Sequence, residues 1–116
     1  MVGEMQAGQG DERKYIIGWL KLKPGKRGEL MALAPAYAKM CREEVGCLFF
    51  EMNPSVDDAD VVVVAECFKS VVAHEAHLET PWFQKLWAEL DRIGVTGRFE
   101  NIVGGRVDVD TADFGG

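Results

Sequence analysis

Hydrophobic positions along the chain change between the two-residue spacing of strands and the three- and four-residue spacing of helices. Residues 14–23, 47–52 and 61–68 are rich in β-branched and aromatic side chains, and we predict a strand at each. Residues 26–44 carry apolar side chains at helical spacing, which predicts a helix between the first two strands.

Capping and breaking residues indicate where the helices begin and end. Pro35 lies inside the first helical pattern and predicts a kink, and Gly46 is expected to end that helix in the left-handed conformation. Ser70 is placed to cap a second, short helix. Thr80 and the proline that follows it predict a renewed helix start, which continues to the next glycine.

The last predicted strand, residues 98–109, contains two adjacent glycines, which indicate a bulge or a corner. The order β-α-β-β-α-β is typical of a ferredoxin-like α+β fold, with a four-stranded antiparallel sheet and both helices on one face. We therefore predict a domain at 14–110, preceded by a flexible lead-in at 1–13 and followed by a short tail at 111–116.

The second face of the predicted sheet is apolar as well. In the first and third predicted strands, the side chains on both faces are apolar. The two faces of the first strand carry Tyr15, Ile17 and Trp19 on one side and Ile16, Leu20 and Leu22 on the other. The two faces of the third strand carry Val61, Val63, Ala65 and Cys67 on one side and Val62, Val64 and Phe68 on the other. Two helices cover one face only, and an exposed apolar patch of that size is rare on a monomer. The pattern therefore predicts a homodimer formed through the sheet face.

Composition narrows the classes of partner. The chain has 116 residues, of which 47% are hydrophobic and 28% charged, and its net charge is −6. This acidic balance, without a cluster of Lys or Arg, argues against a nucleic-acid partner. The longest apolar runs, such as 61–65, are far shorter than the roughly 20 residues of a membrane span, and the polar N-terminal segment does not match a signal peptide. Three cysteines without a Cys-x-x-Cys pair indicate reduced thiols, so we expect a cytoplasmic protein.

Two histidines and one carboxylate are the candidates for chemistry. His74 and His77 are three positions apart, so they share a helix face and could act as acid or base near neutral pH. They form no His-Glu-x-x-His motif and have no third ligand cluster, so no metal site is predicted. The alternative for His77 is a structural hydrogen bond at the helix break. Glu66, the one charge in its strand, must be paired or protonated, and we favour an ion pair with an Arg or Lys, for example Arg98 or Arg106.

Three short motifs, at residues 44–48, 66–70 and 75–83, resemble those of antibiotic biosynthesis monooxygenase domains. The resemblance spans about residues 14–110, and the stretch 77–81 is similar to that of bacterial quinol monooxygenases. It implies a dimeric α+β barrel with ferredoxin-like protomers. It also implies an oxygenase that acts with O2 on quinols or other phenols without a metal, flavin or other cofactor.

The resemblance also implies roles for individual residues. His77 matches the motif histidine, which we expect to take or hold a phenol proton, and Glu66 matches the motif glutamate, with a catalytic or structural role. The predicted substrate-binding residues are Phe50, Phe68, His74, Trp82 and Phe83. An aromatic stripe such as the one around Trp82 more often belongs to the core than to a pocket.

Some positions depart from the family pattern. Family members often carry Trp where this chain has Phe68 and His where it has Trp82, so we expect the site to lack one polar group. The similar haem-degrading branch has a characteristic Asn, a Trp and a haem-ligand His at the positions of Gly18, Phe68 and Trp87. This chain lacks all three residues, so we do not expect haem oxygenation. A related sugar isomerase shares part of the histidine motif, but this chain lacks its second histidine.

Two functions therefore stay open. One is a cofactor-independent monooxygenase, and the other is a non-catalytic or isomerase-like binding module of the same fold. A pocket between the sheet and the second helix, with His77 pointing into it, would favour the oxygenase. A packed interior would favour the binding module.

Overall fold

The computed structural model describes residues 11–115, which form one antiparallel sheet and three helices. Most of the predicted lead-in, together with its predicted mobility, lies outside the described residues. The elements are β1 Lys14–Leu22, α1 Arg27–Arg42, β2 Cys47–Pro54, β3 Val61–Phe68, α2 Val71–Leu78, α3 Pro81–Ile93, β4 Gly94–Val103 and β5 Arg106–Asp113. None of these helices has the length and apolar character needed to cross a bilayer.

The sheet has the strand order β2-β3-β1-β4-β5, and every neighbouring pair is antiparallel. Its first four strands and its helices give the predicted α+β, ferredoxin-like arrangement. The prediction of a single fourth strand at 98–109 is wrong, because this segment is a hairpin of β4 and β5. Gly104 and Gly105 form its turn with φ of 57° and 80°, values that L side chains rarely adopt. The sheet therefore has five strands, and β5 extends into the predicted tail.

The helices pack over one face of the sheet, as predicted. Alternate side chains of the strands point toward them and are buried, namely Ile16, Leu20, Leu22, Phe50, Met52, Val62, Val64 and Phe68. The second helical segment consists of two helices, α2 and α3, which are divided at the predicted restart. Each of them begins at its predicted cap. The Ser70 hydroxyl accepts the Ala73 N–H of α2, and the Thr80 hydroxyl accepts the Phe83 N–H of α3.

The turn between α1 and β2 differs from the prediction in a way that matters for the site. Helix α1 continues through Pro35 and ends at Arg42, and Gly46 is not among the described glycines with positive φ. The expectation of a left-handed Gly46 is therefore wrong. A glycine is needed there because a Cβ atom on it would lie 2.4 Å from the Cβ of Ala73. The turn thus packs directly on α2.

A bulge in β2 changes which side chains share a face. The pairing of β2 with β3 shifts register between Cys47 and Phe49, so Leu48 is left without a partner position. Leu48 is 52% exposed, whereas Phe50 is 1% exposed. Regular two-residue alternation along this strand would place these two side chains on one face, and the bulge separates them.

Replacing Gly46 tests the contact between the turn and α2. Gly46→Ala should lower the free energy of unfolding by about 1–3 kcal/mol, because the new methyl group overlaps Ala73. Gly28→Ala is the control, since a Cβ there meets nothing within 4 Å and alanine favours the first turn of α1. Urea unfolding measures both variants, and equal stabilities would contradict the assigned contact.

Candidate functional site

His77 is the centre of a buried polar network. It lies in the last turn of α2 and is 1% exposed. Its Nδ1 atom is 2.8 Å from Oε2 of Glu44. Its Nε2 atom is 3.4 Å from the hydroxyl of Tyr37 and 3.8 Å from Oε1 of Glu66. Side chains from α1, α2, β3 and the turn after α1 thus meet at one imidazole.

Glu44 holds the imidazole in one orientation. Its Oε2 atom accepts a second hydrogen bond, from Nε1 of Trp82, also at 2.8 Å. An ionised carboxylate can only accept, so Nδ1 of His77 carries the proton that it shares with Glu44. In the neutral ring, Nε2 is then the acceptor, and the Tyr37 hydroxyl is placed to donate to it. This arrangement is that of a histidine base oriented by a carboxylate.

Glu66 lies on the helix-facing side of β3. Its Oε1 atom is buried and has no hydrogen-bond partner among residues 11–115. Burial, and secondarily the charge of Glu44, raise the pKa of this carboxyl to about 8. The predicted ion pair with Arg98 or Arg106 is wrong, because Arg98 bonds Glu100 on the opposite face of the sheet and no such pair forms in the described chain. Glu66 therefore carries a proton near neutral pH.

His74 is the second histidine of α2 and is neutral as well. Its Nδ1 atom is buried without a partner among the described residues. Burial is the main cause that lowers the pKa of His74 to about 4, and Lys14 and His77 add to it. With Glu66 protonated and His74 neutral, neither of these two groups places a charge beside His77 at neutral pH.

Aromatic rings enclose the network. The Phe68 and Phe83 rings lie 5.0 and 5.2 Å from the His77 ring, and the His74 ring lies 6.1 Å away. Phe50 packs instead on Tyr37, with ring centroids 5.4 Å apart. The structure thus brings the sequence-predicted residues together around His77, with Phe50 one ring further out and Trp82 joined through Glu44.

Two surface grooves reach the edge of this network on either side of Trp82. The first, of about 240 Å³, runs between α1 and α3 and includes Tyr37. The second, of about 360 Å³, lies between α2 and the turn after α1 and includes Glu44. His77 itself lines neither groove. The imidazole is therefore enclosed by side chains and is open to neither groove.

The fold and this network can be compared with known proteins. The family model for antibiotic biosynthesis monooxygenases matches residues 15–89. The chain belongs to the antibiotic biosynthesis monooxygenase family.

Solved structures show the same fold at low sequence identity. A protein from Pseudomonas aeruginosa superposes with a TM-score of 0.74 at 19% identity, covering 87% of this chain and 97% of its own. A protein from Shewanella oneidensis gives 0.74 at 20% identity, covering 87% and 93%. A structure described as an antibiotic biosynthesis monooxygenase gives 0.71 at 19% identity, covering 77% and 95%. At these identities the likeness concerns the fold alone.

One curated relative is similar over a limited stretch. An uncharacterized protein of Synechocystis sp. is 25% identical over 75 residues, which cover 65% of this chain and 51% of that protein. The matched segment thus spans about half the length of the relative.

Against this family background, Trp82 keeps a polar group in the site. We expected the replacement of the common histidine to remove one, but the Trp82 indole N–H bonds the carboxylate that orients His77. Sequence reasoning missed both Glu44 and Tyr37. Glu44 was visible as the first residue of a family motif, whereas Tyr37 resembled any apolar position of α1.

Cys41 lies close enough to Glu44 and His77 to form a set of metal donors. One ligand atom of each residue lies within 4.8 Å of the others. The His77–Glu44 hydrogen bond occupies this space, and burial raises the pKa of the Cys41 thiol to about 12, which opposes formation of a thiolate. A metal ion would have to replace that hydrogen bond, so the expectation of no metal site stays a prediction.

Replacing Glu66 tests its buried proton. The folded chain holds this proton up to a pKa of about 8, whereas an unfolded chain releases it near 4.5, so stability should fall as the pH rises between these values. Glu66→Gln removes this fall in stability with pH. The difference in free energy of unfolding between Glu66→Gln and wild type should therefore increase in favour of the variant by on the order of 1–2 kcal/mol between pH 6.5 and 8.

The measurement is chemical denaturation at several pH values. The window starts at pH 6.5 because below it His74, with its lowered pKa, destabilises the fold as the pH falls. Glu51→Gln, at an exposed position of β2, should follow the wild-type profile. Parallel profiles for Glu66→Gln and wild type would show that Glu66 is ionised in the folded chain.

Proposed function

We propose that this chain is a cofactor-independent monooxygenase that acts with O2 on a quinol or another small phenol. The observation that carries the proposal is the hydrogen bond between His77 and Glu44, which leaves Nε2 of a buried imidazole as a proton acceptor among aromatic rings. Membership of the monooxygenase family supports the class of reaction.

The network fits the first step that such a reaction needs. A phenol becomes electron-rich enough to reduce O2 when it loses its proton, and a positioned base contributes about 10²–10⁴ in rate. His77 would take that proton on Nε2, and the Glu44 carboxylate would stabilise the resulting imidazolium through Nδ1. Protonated Glu66, 3.8 Å from Nε2, adds no competing negative charge.

The overall reaction balances with O2 as the sole oxidant. A quinol with a free ring position would give its phenolate electrons to O2, and a C–O bond would form at that carbon. Cleavage of the O–O bond would release one oxygen atom as water, and loss of the ring C–H proton would leave a hydroxyquinone. Quinol plus O2 thus yields hydroxyquinone plus water, with all four electrons supplied by the substrate.

A binding module is the second candidate, and the packing favours it. His77 is 1% exposed and lines neither groove, as a histidine with a purely structural role would be. In that case its hydrogen bonds to Glu44 and Tyr37 join α2 to α1, and any ligand would bind without chemical change.

Incubation with 1,4-naphthoquinol under ¹⁸O₂ distinguishes the two functions. The oxygenase should form 2-hydroxy-1,4-naphthoquinone containing one ¹⁸O atom, faster than the protein-free oxidation and only when O2 is present. His77→Gln should lower kcat/KM by about 10²–10⁴ while filling part of the space of the buried ring. Glu44→Gln should also lower it and move the acid limb of the pH profile.

Glu43→Gln is the matched control, because this neighbouring glutamate is exposed and pairs with Lys39. It should retain wild-type turnover. Turnover that survives in His77→Gln together with a lowered melting temperature would defeat the catalytic assignment. Unlabelled quinone as the only product would exclude monooxygenation of this substrate.

We also propose a homodimer through the sheet face that the helices leave open. The strands contribute apolar side chains to this outer face, namely Tyr15, Ile17, Trp19, Val61, Val63, Ala65, Phe49, Ile102, Val107 and Val109. Phe49, Val107 and Val109 are each more than 40% exposed in the single chain. A standard stable interface buries about 800 Å² on each partner, and apolar side chains on a sheet face without helices are suited to such burial.

A charge placed on the outer face should separate the two copies. Val63 lies opposite Trp19 in the strand register of the outer face. Val63→Lys should therefore convert the dimer into a monomer of 12.8 kDa, which light scattering measures. Val56→Lys is the control, since Val56 is 97% exposed in the turn between β2 and β3. A wild-type protein that is already monomeric at micromolar concentration would refute the dimer.

A further inference from the structure

We infer that the groove between α1 and α3 binds the aromatic ring of a small phenolic ligand, with Tyr37 as its link to His77. The ligand class rests on the proposed function, whereas the place of binding rests on the groove itself. The walls of this α1–α3 groove are formed by Leu33, Ala36, Tyr37 and Met40 of α1 and by Trp82 and Leu86 of α3.

The lining suits a flat apolar ring. Leu33 and Met40 of α1 are 42% and 38% exposed, although both are large apolar side chains. They lie on the same side of α1 as Tyr37, and Leu86 of α3 faces them across the groove. A volume of about 240 Å³ is smaller than that of drug-sized sites, so the groove fits one or two fused rings.

The two aromatic side chains of the groove connect it to the buried network. The Tyr37 hydroxyl is 3.4 Å from Nε2 of His77, and the Trp82 indole N–H bonds Glu44. Both residues therefore line the groove while their polar atoms belong to the network around His77. A ligand hydroxyl that reaches the Tyr37 hydroxyl is one hydroxyl group away from the Nε2 acceptor of the imidazole.

Proton transfer through this link leaves Tyr37 unchanged. Tyr37 gives its proton to Nε2 of His77 and takes the proton of the ligand hydroxyl, so that one proton moves from ligand to histidine. Burial raises the pKa of Tyr37 well above its usual range, which disfavours a lasting tyrosinate. Tyr37 thus relays the proton to a base that the ligand does not touch directly.

The rim of the groove adds charge complementarity for a phenolate or an acidic ring substituent. Glu89 is held by Arg92 through Oε2, whereas Lys85 forms no ion pair in the part of the chain that the structure describes. On a chain of net charge −6, this ammonium group is a local attraction for an anionic oxygen.

Filling the groove tests the binding place with 1-naphthol as the probe. Ala36→Phe should weaken 1-naphthol binding at least tenfold in calorimetric titration of the full chain, because the new ring occupies the slot. Ala32→Phe is the matched control on the same helix, exposed and outside the lining, and should leave the Kd unchanged. Equal Kd values for the two variants, or amide shifts in NMR that avoid α1 and α3, would overturn the inference.

Tyr37→Phe tests the link separately from the place of binding. The variant keeps the ring and loses the hydroxyl, so 1-naphthol binding should change less than threefold while naphthoquinol turnover falls at least tenfold in kcat. Turnover that is unchanged by both Tyr37→Phe and Ala36→Phe would overturn the groove as the substrate site and leave the monooxygenase intact. If Ala36→Phe abolishes the binding of 1-naphthol and the wild type shows no turnover of naphthoquinol, the groove is supported as a binding site and the oxygenase is refuted.

Discussion

One carboxylate oxygen, Oε2 of Glu44, joins the three segments that build the site. It accepts hydrogen bonds from α2 through His77 and from α3 through Trp82, while Glu44 itself follows α1. A largely buried carboxylate needs such donors, because an unpaired charge in an apolar interior is strongly destabilising. The close approach of the turn to α2, with Gly46 against Ala73, is the packing condition for these bonds.

Burial is the main reason that the groups around His77 are neutral, and the charge of Glu44 adds to it at Glu66. A second carboxylate near His77 would repel Glu44 in a medium of low dielectric constant, and Glu66 avoids this by keeping its proton. His74 likewise stays uncharged, because it is buried and its Nδ1 atom has no partner among residues 11–115. The imidazole of His77 therefore responds to one anion in a ring of aromatic side chains, which is a simple electrostatic environment for a base.

Local signals predicted the elements well, because caps and β-branched runs act over a few residues. Strand β3 and the caps Ser70 and Thr80 lie where the sequence predicts them. A pair of adjacent glycines, by contrast, fits both a bulge and a hairpin, and the pairing with β4 decides between them. The insertion of Leu48 was also invisible, since a bulge depends on the partner strand.

The site was predicted only in outline for a related reason. His77 was identified by its motif, but its partners come from segments 33 and 40 residues away in the chain, and no local pattern reports such contacts. The prediction of an arginine partner for Glu66 was wrong because, when both faces of a sheet are apolar, the sequence does not reveal which face each charged side chain occupies. The alternative named for Glu66, a protonated carboxyl group, is the one that its burial favours.

Helix α2 has a further consequence for motion. It has eight residues, and a helix of this length is marginal on its own in water. His77 is the one side chain that it buries fully, so its attachment depends on the Glu44 bond, on the contact with Gly46 and on its cap. Local unfolding free energies are lowest in segments with few buried apolar contacts. Amide exchange in α2 should therefore report transient exposure of the histidine long before the sheet opens.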